Sequence, residues 1–425
     1  MKTSVMEWQK RWLALALGAL GLSAVLAVLL VLTRTPFLQD FLGIKSWFHL
    51  VLVLHVNFAV LVWLMSFIAF IWVGQCLRIN HAYQRTAWSF GVAGVVLMFI
   101  SPLFVAFSST TPIMSNYIPV LDSPVFLAGL GCFVLAITLV GTKLFSVNKL
   151  FKPSVMQLSA WFWLGTLVVL LLQWPMLTGL NGLDFFEPWF WGAGHVLQFV
   201  YVMALWAVWR WPNHQASSWL NFVALVILVA SLVLVFAFDP QTPASRQAFS
   251  YLMQWGMPLL ILPLIYHWYW QQSAQKNGAL RLAVLISVLL MSVGLIMGVL
   301  ISDDSVMVTA HYHATNAAIS IAFMGLAYQM LPGLGLVSVP LSKAQKQIGF
   351  YGASMFLYVS GMAASGWLGV PRKTTMFVDE GWEQLAMTVM GIGGFLSILA
   401  TLVFVSLLLI AFGRSKRSFD HENKI

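Results

Sequence analysis

Apolar residues run in long unbroken stretches along this chain, and the polar positions that interrupt them gather into short segments. Uncharged runs such as Trp12–Thr33, Ser46–Leu77, Pro188–Trp209, Leu282–Ser302 and Gln384–Gly413 all reach the ~20 residues that a helix needs to cross a hydrocarbon core. Dividing the longer runs at clusters of Pro, Gly and Asn predicts twelve spans: 12–33, 46–75, 86–108, 124–147, 157–179, 187–209, 217–238, 246–270, 280–301, 305–331, 347–369 and 385–412. The expected fold class is all-α: a polytopic bundle of twelve transmembrane helices in a single integral-membrane domain over 1–425, with tails at 1–11 and 414–425. The first run is too long for a signal peptide and lacks a small-residue cleavage site, so it reads as a retained helix.

Composition agrees with that reading. Of 425 residues, 60% are hydrophobic and 8% charged, against about 25% charged in soluble domains. Too few ionisable groups exist to cover a water-facing surface. Cys76 and Cys132 lie far apart, so the chain has no disulfide framework, CxxC pair or CxxCH haem-attachment motif.

The net charge of +9 belongs to membrane orientation and implies no nucleic-acid partner. With the N-terminus inside and loops alternating, 17 of the 22 Lys and Arg fall on the inner side, leaving Arg34, Lys45, Arg246, Arg372 and Lys373 outside. Ten of the thirteen acids, Glu187 and Asp239 among them, sort to the outer side. The positive-inside rule therefore expects both termini in the cytoplasm. On these boundaries no charged side chain lies deep in a span, whereas ion-coupled transporters usually keep one there. The titratable groups left at depth are histidines.

Of nine histidines, His81, His214 and His421 fall in inner loops or the tail, and His267 sits in an interfacial aromatic run. His49 reads as structural. His55, His195, His311 and His313 lie on the second, sixth and tenth spans, all running from outside to inside. Each falls six to nine residues into its span, or about 9–14 Å below the outer boundary at 1.5 Å per residue. In His311-Tyr312-His313 the two imidazoles are about 200° apart around the helix, so they cannot readily share one metal but could each ligate a separate iron. Haem ligation and hydrogen bonding to neighbouring helices both fit this pattern. The outer loop Gly369-Val370-Pro371-Arg372-Lys373 supplies cations where haem propionates would emerge.

These segments together resemble subunit I of the haem-copper oxidase superfamily, which includes cytochrome c oxidases and nitric oxide reductases. The likeness covers nearly the whole chain. Ala310-His311-Tyr312-His313, running on to Leu331-Pro332, resembles the family's tenth-helix motif. Leu54-His55-Val56-Asn57-Phe58 is similar to the second-helix ligand region, Glu187 through His195 to the sixth-helix motif, and the 369–373 loop to the propionate loop.

The resemblance implies two haems. His55 and His313 would be axial ligands of a low-spin haem, and His311 the proximal ligand of a high-spin haem that serves as the catalytic centre. Arg372 and Lys373 would hold propionates. His195 would be the first ligand of a second metal, copper or non-haem iron.

The departures are specific. The seventh span ends Val235-Phe236-Ala237-Phe238-Asp239-Pro240, without the histidine pair that completes the metal site in oxygen-reducing members. Phe199 stands where many oxidases have a redox-active tyrosine. One imidazole is too few ligands for tight copper binding, so the expectation is two haems with substoichiometric or no copper.

Three functions follow. One is a respiratory oxidoreductase reducing a small gas, oxygen or nitric oxide. It would take electrons from an outer-side donor such as a cytochrome c or cupredoxin-type protein and assemble with further membrane subunits. Another is a non-oxidase di-haem electron-transfer or gas-binding protein of the same fold. The third is a haem-free transporter. The expected location is a bacterial cytoplasmic membrane, as an integral multi-pass protein.

Overall fold

In lipid a peptide group finds no water to bond, so an apolar run becomes a helix that pairs its own N–H and C=O groups. The computed structural model describes residues 2–34, 47–76, 80–105, 111–145, 153–213, 215–270, 278–301, 305–370 and 381–422. Among them are twelve long helices, falling into two compact units, Met1–Tyr266 and His267–Ile425.

The first unit holds α1 (Lys2–Arg34), α2 (Phe48–Gly74), α3 (His81–Val105), α4 (Pro124–Thr142), α5 (Val155–Gln173), α6 (Gly182–Trp209), α7 (Ser218–Ala237) and nearly all of α8 (Pro243–Trp270). A two-stranded antiparallel hairpin joins α3 to α4, β1 (Pro112–Ile113) pairing with β2 (Val120–Leu121). Its loop carries residues 114–119.

Local chemistry sets several boundaries. A reciprocal capping box between Ser154 and Gln157 opens α5. The Ser217 hydroxyl accepts from the Leu220 N–H to open α7. Within α2 the chain widens to a π-helical turn over Asn57–Val62. There the Asn57 side-chain amide donates to the Val53 carbonyl (2.9 Å) and to the Pro119 carbonyl of the hairpin loop (2.7 Å). A side chain that occupies an i−4 carbonyl competes with the α-helical ladder at that point.

Helix α6 is the core of this unit. In its most apolar stretch 89% of residues are buried, against 33% for α7 and α8. Polar groups on α6 therefore face protein rather than lipid.

The second unit holds α9 (Ala279–Val299), α10 (Val306–Met330), α11 (Leu341–Trp367) and α12 (Gly381–Glu422). Helix α10 packs between α9 and α11. The Ser287 hydroxyl donates to the Ala318 carbonyl (2.6 Å), tying α9 to α10. Buried Gln347 accepts from the Tyr328 hydroxyl (3.1 Å) and donates to the Ala400 carbonyl (3.2 Å), joining α10, α11 and α12.

Ten of these helices are long and apolar enough to cross a membrane; the exceptions are α10 and α11, of 25 and 27 residues. At 1.5 Å per residue both exceed a ~30 Å hydrocarbon core, but they carry more polar side chains. The protein is an all-α, multi-pass membrane bundle.

One boundary differs instructively from expectation. Helix α6 begins at Gly182, five residues before the expected 187, and Glu187 is buried within it rather than at its outer end. The reason is its partner. The Asn116 backbone N–H donates to one carboxylate oxygen (2.8 Å), and the Asn116 side-chain amide donates to the other (2.5 Å).

Candidate functional site

In the first unit, α2 presents His55 to α1. Its Nδ1 lies 2.9 Å from the Ser23 carbonyl oxygen. A carbonyl only accepts, so Nδ1 carries the ring proton and the lone pair resides on Nε2.

His195, on α6, is almost wholly buried, at 3% exposure. Its Nδ1 donates to the Trp191 carbonyl one turn earlier (2.6 Å). The opposite nitrogen is also engaged, because the Tyr117 hydroxyl of the hairpin loop lies 3.1 Å from Nε2. The Trp191, Tyr117 and Phe249 rings surround the imidazole at centroid distances of 5.0, 4.8 and 6.2 Å. Burial, and after it the charge of Glu187, holds the Tyr117 phenol above its usual range, so the hydroxyl stays protonated and serves as donor.

In the second unit, His311 and His313 project from α10 toward different neighbours. His311 Nδ1 donates to the Gly294 carbonyl of α9 (2.7 Å). Its ring lies against Gly298, where a Cβ would come within 2.8 Å of both Cε1 and Nδ1. Glycine at 298 is what makes room for that imidazole. His313 Nδ1 donates to the Thr309 carbonyl (2.9 Å). Its ring meets Tyr358 of α11 edge-on, with centroids 5.1 Å apart at 88°.

All four imidazoles thus share one tautomer, with Nδ1–H fixed on a backbone carbonyl. Metal-ligating histidines use this arrangement: the hydrogen bond fixes ring orientation, raises basicity and leaves Nε2 to bind. The donor chemistry of His55 and His311 fits axial ligation of haem iron, and His313 shares their Nδ1 arrangement. His195 differs in that a phenol is hydrogen-bonded to its Nε2. Among the described residues no three His, Cys, Asp or Glu side chains are grouped to hold a metal ion.

The remaining expected positions divide. Arg372 and Lys373, expected to hold propionates, lie outside the described residues. His49 is exposed beside Phe48. His81 is exposed and lies 3.3 Å from the Trp8 indole N–H.

Sequence reasoning missed Asn116 and Tyr117, which sit in a short polar segment between apolar runs. Their partners are 71 and 78 residues away. The one available signal was Gly194. A Cβ at that position would collide with the Tyr117 ring, so a glycine beside a histidine in a buried helix marks a side chain lying over the backbone.

The sequence matches no protein-family model. It is similar to an uncharacterized protein of Rickettsia prowazekii (strain Madrid E), 26% identical over 480 aligned positions that cover 93% of this chain and 94% of that protein. It is also similar to an uncharacterized protein of Aquifex aeolicus (strain VF5), 28% identical over 353 positions, covering 80% and 88% respectively.

Proposed function

We propose that this chain is a haem-binding oxidoreductase subunit of the haem-copper oxidase subunit I type, passing electrons from a low-spin to a high-spin haem. The observation that carries the proposal is the shared tautomer. His55, His311 and His313 each fix Nδ1–H on a backbone carbonyl, and in His55 and His311 this directs the Nε2 lone pair to a metal. Carried over from the resemblance, His55 and His313 would hold the low-spin haem and His311 would hold the high-spin haem. Arg372 and Lys373 would neutralise their propionates.

When bound, such haems supply electron transfer and an open iron position for oxygen or nitric oxide. The chain's own part is orientation. The Ser23, Gly294 and Thr309 carbonyls hold the rings, and Gly298 gives His311 its space. Electrons arrive from an outer-side donor such as a cytochrome c or cupredoxin-type protein, with further membrane subunits alongside. The proposed topology has twelve spans with both termini inside, in a bacterial cytoplasmic membrane.

A second reading, a di-haem electron-transfer or gas-binding protein that performs no reduction, is favoured by one feature: the phenol on His195 Nε2 where a second metal would bind. A reduced-minus-oxidised spectrum taken with carbon monoxide tests both readings. A Soret band with a CO-sensitive fraction is expected, and catalytic turnover of oxygen or nitric oxide separates the first reading from the second. A colourless preparation overturns both.

A further inference from the structure

We propose that Tyr117 closes the His195 imidazole to metal ions. A histidine ligates through a nitrogen lone pair, and the only one His195 has, on Nε2, accepts the Tyr117 O–H at 3.1 Å. Nδ1 carries its proton to the Trp191 carbonyl. A metal could bind only if the phenol withdrew.

The surrounding structure holds the phenol in place. Its ring lies over Gly194, where no side chain lifts it from the helix, and packs edge-on against Trp191 at 5.8 Å. The backbone on one side is fixed by Asn116, whose two donors occupy the Glu187 carboxylate. On the other side it is fixed by the Pro119 carbonyl, which accepts from Asn57. The loop also closes on itself through the Ser115 hydroxyl and the Ile118 carbonyl. The other acceptor near the Tyr117 hydroxyl is the Met253 thioether at 4.0 Å, a weak acceptor that does not compete with an imidazole nitrogen.

The buried Glu187 carboxylate acquires a role in this arrangement. It anchors the residue next to Tyr117 and so keeps the phenol seated. The inference stands whether or not the chain holds haem, because it concerns nitrogen availability at His195 alone.

The test incubates the full-length protein with excess Cu(II), desalts it, and reads copper content with electron paramagnetic resonance. The wild type is expected to retain no copper that His195→Ala removes. Tyr117→His replaces the capping phenol with a second imidazole. It is expected to retain about one copper per chain with nitrogen couplings, lost again in the Tyr117→His/His195→Ala double variant. Wild-type copper that His195→Ala abolishes overturns the proposal. So does a Tyr117→His protein that elutes and melts like wild type yet stays copper-free. If Tyr117→His fails to fold, Tyr117→Phe titrated with Cu(II) without desalting decides: a His195-dependent copper signal that wild type lacks is expected, and its absence overturns the proposal.

Discussion

The Tyr117 hydroxyl, from the hairpin loop between α3 and α4, lies 3.1 Å from Nε2 of His195 on α6, and the two rings stand 4.8 Å apart. Tyr117 is half-buried and His195 almost wholly buried, so the imidazole nitrogen has no ready substitute donor when the bond is lost. Tyr117→Phe keeps the ring over Gly194 but leaves a buried imidazole nitrogen without a donor. The expected destabilisation is about 1–3 kcal/mol, the usual cost of an unsatisfied buried polar group. Thermal unfolding in detergent would show a lowered midpoint, and a midpoint equal to wild type would contradict the assignment.

The three haem-ligand assignments separate in mutants. His55→Ala and His313→Ala are expected to remove the low-spin spectral signal, and His311→Ala to spare it while abolishing the CO-sensitive signal. Spectra of the three purified variants decide this. Loss of both signals in every variant would leave the ligand assignments without support.

Gly298 offers a subtler probe of the proposed high-spin site. A methyl group at 298 falls 2.8 Å from two atoms of the His311 ring, closer than packed carbons approach, so the ring must move off the Gly294 carbonyl. Gly298→Ala is therefore expected to weaken the CO-sensitive signal and leave the low-spin signal intact. An unchanged CO difference spectrum would mean that His311 orientation does not matter.

The placement of the helices was legible because apolar run length is a local property that lipid enforces residue by residue. Expected spans and observed helices agree within a few residues for α2, α7, α8, α9 and α10. Glu187 shows where this reasoning stops. A carboxylate reads as an outer-end residue until its donors are known, and those come from Asn116, 71 positions earlier. The His55 tautomer depends on a carbonyl 32 residues away, and the second acceptor of the Asn57 amide lies on a hairpin loop 62 residues away. His313 is the counter-case, since its carbonyl partner Thr309 lies one turn back on the same helix. Spacing told that two imidazoles on α10 would diverge, but not that the residue facing His195 would be a tyrosine.

Cys76 gives a pH-dependent readout outside the spans. Burial pushes its thiol up, and the nearby Lys143 ammonium offsets only part of that. A raised pKa leaves less thiolate at any given pH, so alkylation at pH 8 should be slower than for a free cysteine and keep rising past its ordinary pKa of about 8.5. Lys143→Gln should slow it further. Iodoacetamide labelling in a Cys132→Ser background measures this, and a plateau below pH 8 would contradict it.

The central claim is that this bundle uses its membrane-embedded histidines to hold iron porphyrins. A pyridine haemochrome assay on the purified protein, normalised to chain concentration, tests it most directly. The account predicts about two haems per chain, as three ligating imidazoles divided between one six-coordinate and one five-coordinate iron require. A protein that is folded, pure and free of porphyrin after expression with ample haem supply would contradict it.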